Sequence, residues 1–232
     1  MSHNKSARLF FYFSPVMLIA IVFTVTYIFH FFLEPLYLVI PLLITYYSYI
    51  WLSILAYNHI FGSEKKVFAK KDFIFHVHGF APWMYFWIFA YPFLAGGFVF
   101  YQMAPHISAY WILGGIPFSL INGPSEETFW RLFLERCGVD AGLSKQTRLW
   151  YSSAIFSSWH FIFIIFLFPA QQIPFALIMT LGTTFFAGLL WMIVYQKTGT
   201  IIHNYTSHVV LNFLMICPWA VASVLGVNSL PF

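Results

Sequence analysis

From residue 73 to residue 125 the chain carries no Asp, Glu, Lys or Arg, and the stretch ends on two adjacent carboxylates, Glu126 and Glu127. Soluble domains carry about one charged residue in four, so a run of this length belongs in lipid. Only seven acidic residues occur in the 232, and two of them adjoin here. A carboxylate at bilayer depth costs about 2.5–3.5 kcal/mol on insertion scales, which makes a retained pair a mark of function. Arg131, four positions after Glu127, sharpens that reading.

With 8% charged residues overall, the chain reads as a polytopic membrane protein. Lys5 and Arg8 precede an apolar run, 9–33, that is too long for a signal-peptide core and lacks a small-residue cleavage site. It reads as a retained signal anchor. Charges and breakers then mark further spans at about 36–61, 80–101, 149–168, 173–195 and 200–216. Pro82, Pro92 and Gly96-Gly97 are expected kinks in the third span. A fourth begins near 107, is interrupted by Gly114-Gly115, Pro117 and Asn122-Gly123-Pro124, and gives way to a polar helix over 125–137 opened by Pro124. The last stretch, 218–232, is short and fits a tilted or half helix. The expectation is an all-α bundle of about seven or eight transmembrane helices, a single integral-membrane domain over 1–232 with a motif-bearing half at about 106–216.

A cytoplasmic N-terminus puts every Lys and Arg on one side: Lys5 and Arg8, then Lys65, Lys66, Lys70 and Lys71, then Arg131, Arg136, Lys145 and Arg148, then Lys197. Only Glu34 falls on the other. The net charge of +4 is thereby explained by topology and implies no nucleic-acid partner. Cys137 and Cys217 offer neither a disulfide framework nor zinc spacing and read as packed or lipid-facing thiols.

Three spans carry polar groups that lipid would not tolerate. In the first, helical spacing assigns Glu127 to Arg131 at i, i+4, with Glu135 within reach of the same arginine, and turns Glu126 about 100° away from Glu127. Glu126 is then placed to act as a general base; capping of a re-entrant helix by both glutamates is the structural alternative. In the second, His160 lies near the middle of its span, whereas His30, His59 and His106 fall at span ends and His76 and His78 in the basic loop. In the third, Asn204, His208 and Asn212 form a stripe at i, i+4, i+8, flanked by His203 and Ser207. Interhelical hydrogen bonding would account for that stripe taken alone. A carboxylate, a mid-membrane imidazole and a His/Asn stripe on three helices together point to a polar cavity opening to the cytoplasm.

Such a cavity suits hydrolysis. A carboxylate takes a proton from water attacking a carbonyl, an imidazole orients the water, and His and Asn N–H groups stabilise the oxyanion. No Ser-His-Asp set, Cys nucleophile with local His, or His-Glu-x-x-His helix is present. A zinc site using Glu126, His160 and His208 remains the metal-dependent alternative.

The three elements read Glu126-Glu127-Thr128-Phe129-Trp130-Arg131, Phe156-Ser157-Ser158-Trp159-His160 and His208-Val209-Val210-Leu211-Asn212, with Thr198-Gly199-Thr200-Ile201 ahead of the third. Together they resemble the CPBP family, the CAAX proteases and bacteriocin-processing enzymes also called the Abi family. The resemblance covers the second half of the chain. It implies an intramembrane endopeptidase of the type II CAAX prenyl protease kind, with Glu126 activating water assisted by His160. His208 and Asn212 would form the oxyanion hole, and Glu127 and Arg131 would hold the site in shape. By the same resemblance no cofactor is needed, although members have been named metalloproteases. His203-Asn204 and Gly123-Pro124 depart from the family pattern, and the latter is expected to break the fourth span. The expected substrate is a lipid-anchored or membrane-embedded peptide, such as a prenylated C-terminus or a bacteriocin or pheromone leader, in what a compact chain suggests is a prokaryotic plasma membrane. A non-proteolytic immunity or scaffold protein of the same fold is the alternative. A proton-coupled transporter is disfavoured, because no paired halves are visible.

Overall fold

The computed structural model describes residues 3–61, 67, 70–74, 81–107, 109–168 and 170–225. Among them the chain is helical, with no strand. In order the helices are α1 (His3–His30), α2 (Pro35–Phe61), α3 (Pro82–Pro92), α4 (Phe98–Met103) and α5 (Ala109–Glu127). They continue as α6 (Leu134–Asp140), α7 (Lys145–Trp159), α8 (Phe161–Leu167), α9 (Ile173–Thr198) and α10 (Ile202–Leu225). π-Helical turns at Phe93–Gly97 and Thr128–Phe133 join α3 to α4 and α5 to α6. Most of the basic loop, including Lys65, Lys66, His76 and His78, lies outside the described residues, as does 226–232.

The chain is an all-α membrane protein, but the span count differs from the expected seven or eight. Four helical stretches among the described residues are long and apolar enough to cross a membrane: Asn4–His30, Tyr37–Phe61, Lys145–Leu167 and Ala170–Thr198. Three expected spans, those at 80–101, from 107 and at 200–216, are not among these, the first two for visible reasons. The π turn at Phe93–Gly97, where Pro92 and the two glycines were expected to kink the chain, divides the third into short pieces. The last turns of α5 hold Asn122, Ser125 and both glutamates, which lower its hydropathy. Two further expectations are corrected. The helix does not break at Gly123-Pro124; α5 runs through Pro117 and Pro124, and the departure from α geometry comes later, at Thr128. Nor does a separate segment begin at Pro218, because α10 continues to Leu225.

The helices form two compact units, one of Met1–Ala69 with Thr128–Met192, the other of Lys70–Glu127 with Ile193–Phe232. In the first, α1 and α2 each bury a single stripe: Ala7, Phe11, Leu18 and Val22 on α1, and Leu38, Leu42, Tyr46, Ile50, Ile54 and Tyr57 on α2. Their other faces expose large apolar side chains such as Phe13, Ile28, Ile40 and Ile44, the pattern of helices that face lipid. Small residues let α7 and α9 approach: Gly188 lies against Ser153, and Ser157 Oγ donates to the Leu181 carbonyl at 2.6 Å. Polar groups collect at one end of this unit. Arg8 donates to the Ala141 carbonyl, Arg148 pairs with Glu135 at 3.0 Å, and Tyr57 donates to Asp140 at the end of α6. Ser144 caps α7 by accepting from the Thr147 N–H at 3.1 Å. The N-terminus and the 136–148 segment thus share one end, the arrangement that the clustering of basic residues requires.

In the second unit α10 packs against α3, α4 and α5. Gly199, at φ +68°, ends α9, a conformation that a Cβ would strain. The next two residues are tied down: Thr200 Oγ1 and the Ile201 N–H both donate to the Asp72 carbonyl, at 3.0 and 2.9 Å. This fixes where α10 starts. At Gly123, a Cβ would stand 3.1 Å from both the Val209 backbone N and its Cγ2, so α5 and α10 touch almost backbone to backbone one position from His208. Gly123→Val is therefore expected to force the helices apart, costing about 1–3 kcal/mol as overpacking does. A lowered midpoint of thermal unfolding in detergent, with activity reduced in parallel, is the outcome to look for.

Candidate active site

The last turn of α5 places both glutamates in the interior, Glu126 2% and Glu127 0% exposed. Close packing at Gly123 brings α10 to them, and the residue that meets them is His208. Its Nδ1 is hydrogen-bonded to Glu127 Oε1 at 2.8 Å, and its Nε2 lies 3.3 Å from Glu126 Oε2. One buried imidazole therefore addresses two carboxylates through its two nitrogens. A neutral imidazole has one N–H and one lone pair, so it can donate to one carboxylate only. Filling both contacts takes two protons, held either by an imidazolium or by an imidazole together with one carboxylic acid. An imidazole set between two carboxylates is an arrangement that general acid–base chemistry can use.

His208 thus gives each member of the pair a partner on another helix. Spacing assigned Glu127 to Arg131 and left Glu126 alone to meet the histidines. In the structure both glutamates bear on His208, and Glu127 makes the shorter contact. The turn between Glu127 and Arg131 begins a π segment, where a count of four residues no longer measures an α-helical face. Such π turns recur at functional sites. Glu135, also expected near Arg131, pairs with Arg148.

The rest of the stripe is buried. Asn212 lies one turn beyond His208 and is 8% exposed, and its Nδ2 has no hydrogen-bond partner among the described residues. Asn204, one turn before His208, and its neighbour His203 are both fully buried, the latter edge-on to Tyr85 at 6.2 Å.

His160 and Arg131 belong to the first unit. His160 stands where the long helix expected over 149–168 breaks into α7 and α8, capping the first and starting the second. Its Nδ1 is 3.0 Å from the Phe156 carbonyl. A carbonyl only accepts, so Nδ1 bears the hydrogen and, in the neutral ring, Nε2 carries the lone pair. The ring is half-buried and meets Phe156 edge to face at 5.0 Å. Arg131, 1% exposed, lays its guanidinium over the Phe156 face at 4.2 Å and near Trp191 at 5.3 Å. Trp191 is absent from the residues that the sequence singles out. In a chain that is 23% aromatic, one more tryptophan in an apolar helix carries no signal.

Among the described residues no three His, Cys, Asp or Glu side chains form a group that could hold a metal ion. Cys137 is a buried free thiol.

A family profile described as type II CAAX prenyl endopeptidase Rce1-like matches residues 107–214, the stretch that holds all three motifs. No curated protein and no solved structure matches the chain. That match, over the stretch that holds the three motifs, together with apolar helices long enough to cross a membrane, makes this part of the chain similar to the type II CAAX prenyl endopeptidases and supports, in general terms, a CAAX-type intramembrane endopeptidase.

Proposed function

We propose that the protein hydrolyses a peptide bond of a lipid-anchored or membrane-embedded peptide, near a prenylated C-terminus or in a bacteriocin- or pheromone-type leader, using water activated by Glu126. The observation that carries this reading is the buried Glu126–His208–Glu127 contact, with the Asn212 Nδ2, one turn away, without a hydrogen-bond partner among the described residues. Glu126 takes a proton from water as its oxygen bonds to the scissile carbonyl carbon. Negative charge passes to the carbonyl oxygen and is met by the Nε2–H of His208, in its imidazolium form, and by the Asn212 amide. Glu127 orients His208 by accepting from Nδ1–H. The C–N bond then breaks, and the proton held by Glu126 goes to the leaving amine. His160, with its lone pair on Nε2, steadies the attacking water. The site opens to the cytoplasmic side, where the basic residues gather, and this chemistry draws on no bound metal.

The test is mass spectrometry of peptides incubated with the purified protein, with and without a chelator. The panel is a prenylated C-terminal peptide, its unprenylated form and a leader-type peptide. Cleavage at one bond that survives the chelator is expected. Cleavage abolished by chelation and restored by zinc would replace the glutamate mechanism with the metal-dependent one. Intact peptides throughout would favour an immunity or scaffold role.

A further inference from the structure

Phe156 is the point where two parts of the first unit meet. Its ring face carries the Arg131 guanidinium at 4.2 Å, within the range of a cation–π contact, and its carbonyl and ring edge hold His160. The other wall around Arg131 is Trp191, fully buried on α9. Trp191 also lies 6.2 Å from Phe156, inclined at 61°. A cation between two aromatic faces is held by direction as well as by distance, because each ring attracts it along its own normal. Phe156 is packed on another side by Trp130, whose Nε1–H donates to Tyr46 at 2.8 Å.

We propose that Trp191 is a positioning residue for His160, acting through Arg131 and Phe156. Loss of the indole leaves Arg131 with one aromatic wall and opens a space beside Phe156. The phenyl ring then shifts, and the carbonyl contact that keeps hydrogen on His160 Nδ1 loosens with it. His160 samples the other tautomer, in which Nε2 no longer offers its lone pair. The inference rests on the peptidase reading only in supposing that His160 serves catalysis; the effect on the imidazole stands without it.

The experiment therefore has two readouts on the full-length protein in detergent. Histidine labelled with 15N reports the tautomer of His160, its signal assigned by its disappearance in His160→Gln. Wild type and Trp191→Phe are expected to show Nδ1 protonated; Trp191→Leu is expected to show averaging between tautomers. In the peptide assay Trp191→Leu should lower kcat about ten- to a hundredfold, the scale of a misplaced catalytic group, with KM little changed. Trp191→Phe should restore most of it. A Trp191→Leu protein that folds, keeps the wild-type His160 signal and keeps wild-type kcat overturns the proposal, as does a loss of kcat with an unchanged imidazole signal. If wild type cleaves nothing yet the tautomer still responds, the peptidase reading fails and the positioning role survives.

Discussion

Purified Glu126→Gln protein is expected to fold as wild type does and to cleave its peptide about 10²–10⁴-fold more slowly, the range general-base catalysis supplies. On the rate scale this is about 2.7–5.5 kcal/mol of lost transition-state stabilisation. Glutamine keeps the shape of the side chain and an oxygen facing His208 Nε2, which lies 3.3 Å from the carboxylate in the structure. It cannot take a proton from water. The comparison that makes the result specific is Glu127→Gln, which alters the 2.8 Å contact orienting His208 but leaves the base in place. Its loss should be smaller. Wild-type cleavage by Glu126→Gln would remove this residue from the mechanism. A reversed order, with Glu127→Gln the more damaging, would transfer the base to Glu127.

The second large effect is expected at Asn212. If its amide stabilises the oxyanion, Asn212→Ala should lower kcat by about 10²–10³-fold, the cost of removing one such donor, with KM close to wild type. Stability separates this role from simple helix glue. Nδ2 is buried, and its removal breaks no hydrogen bond to the described residues. Unfolding in detergent should stay within about 1 kcal/mol of wild type. A side chain serving as interhelical glue would behave the other way. It would lose about 0.6–2 kcal/mol of stability, while catalysis would be spared.

The expectations that held rest on particular residues. The motifs at Glu126-Glu127, His160 and His208 announce the family, and the family profile covers the same stretch. Glu126 and His208, 82 positions apart, were expected to meet and do. Reading Gly123-Pro124 as a break assumes that proline ends a helix. Here the helix continues, and Gly123 serves the approach of α10 instead. The span expected at 149–168 is among the four long enough to cross a membrane, with a change of helix at His160 inside it. A sequence reports spacing along the chain, and spacing gives geometry only while the helical period stays constant.

What the sequence determined by itself is the solvent and the place of the motifs. A chain so poor in charge must be a helical membrane protein, and the carboxylate pair retained there singles out the residues that the proposed chemistry would use. Tertiary structure alone decided the partnerships: that His208 addresses both glutamates at once, and that Trp191 and Phe156 hold Arg131. The reason is physical. Contacts within one helix follow from its period, but contacts between helices depend on how closely the backbones approach. That was set at Gly123, where a missing Cβ brings α10 against α5.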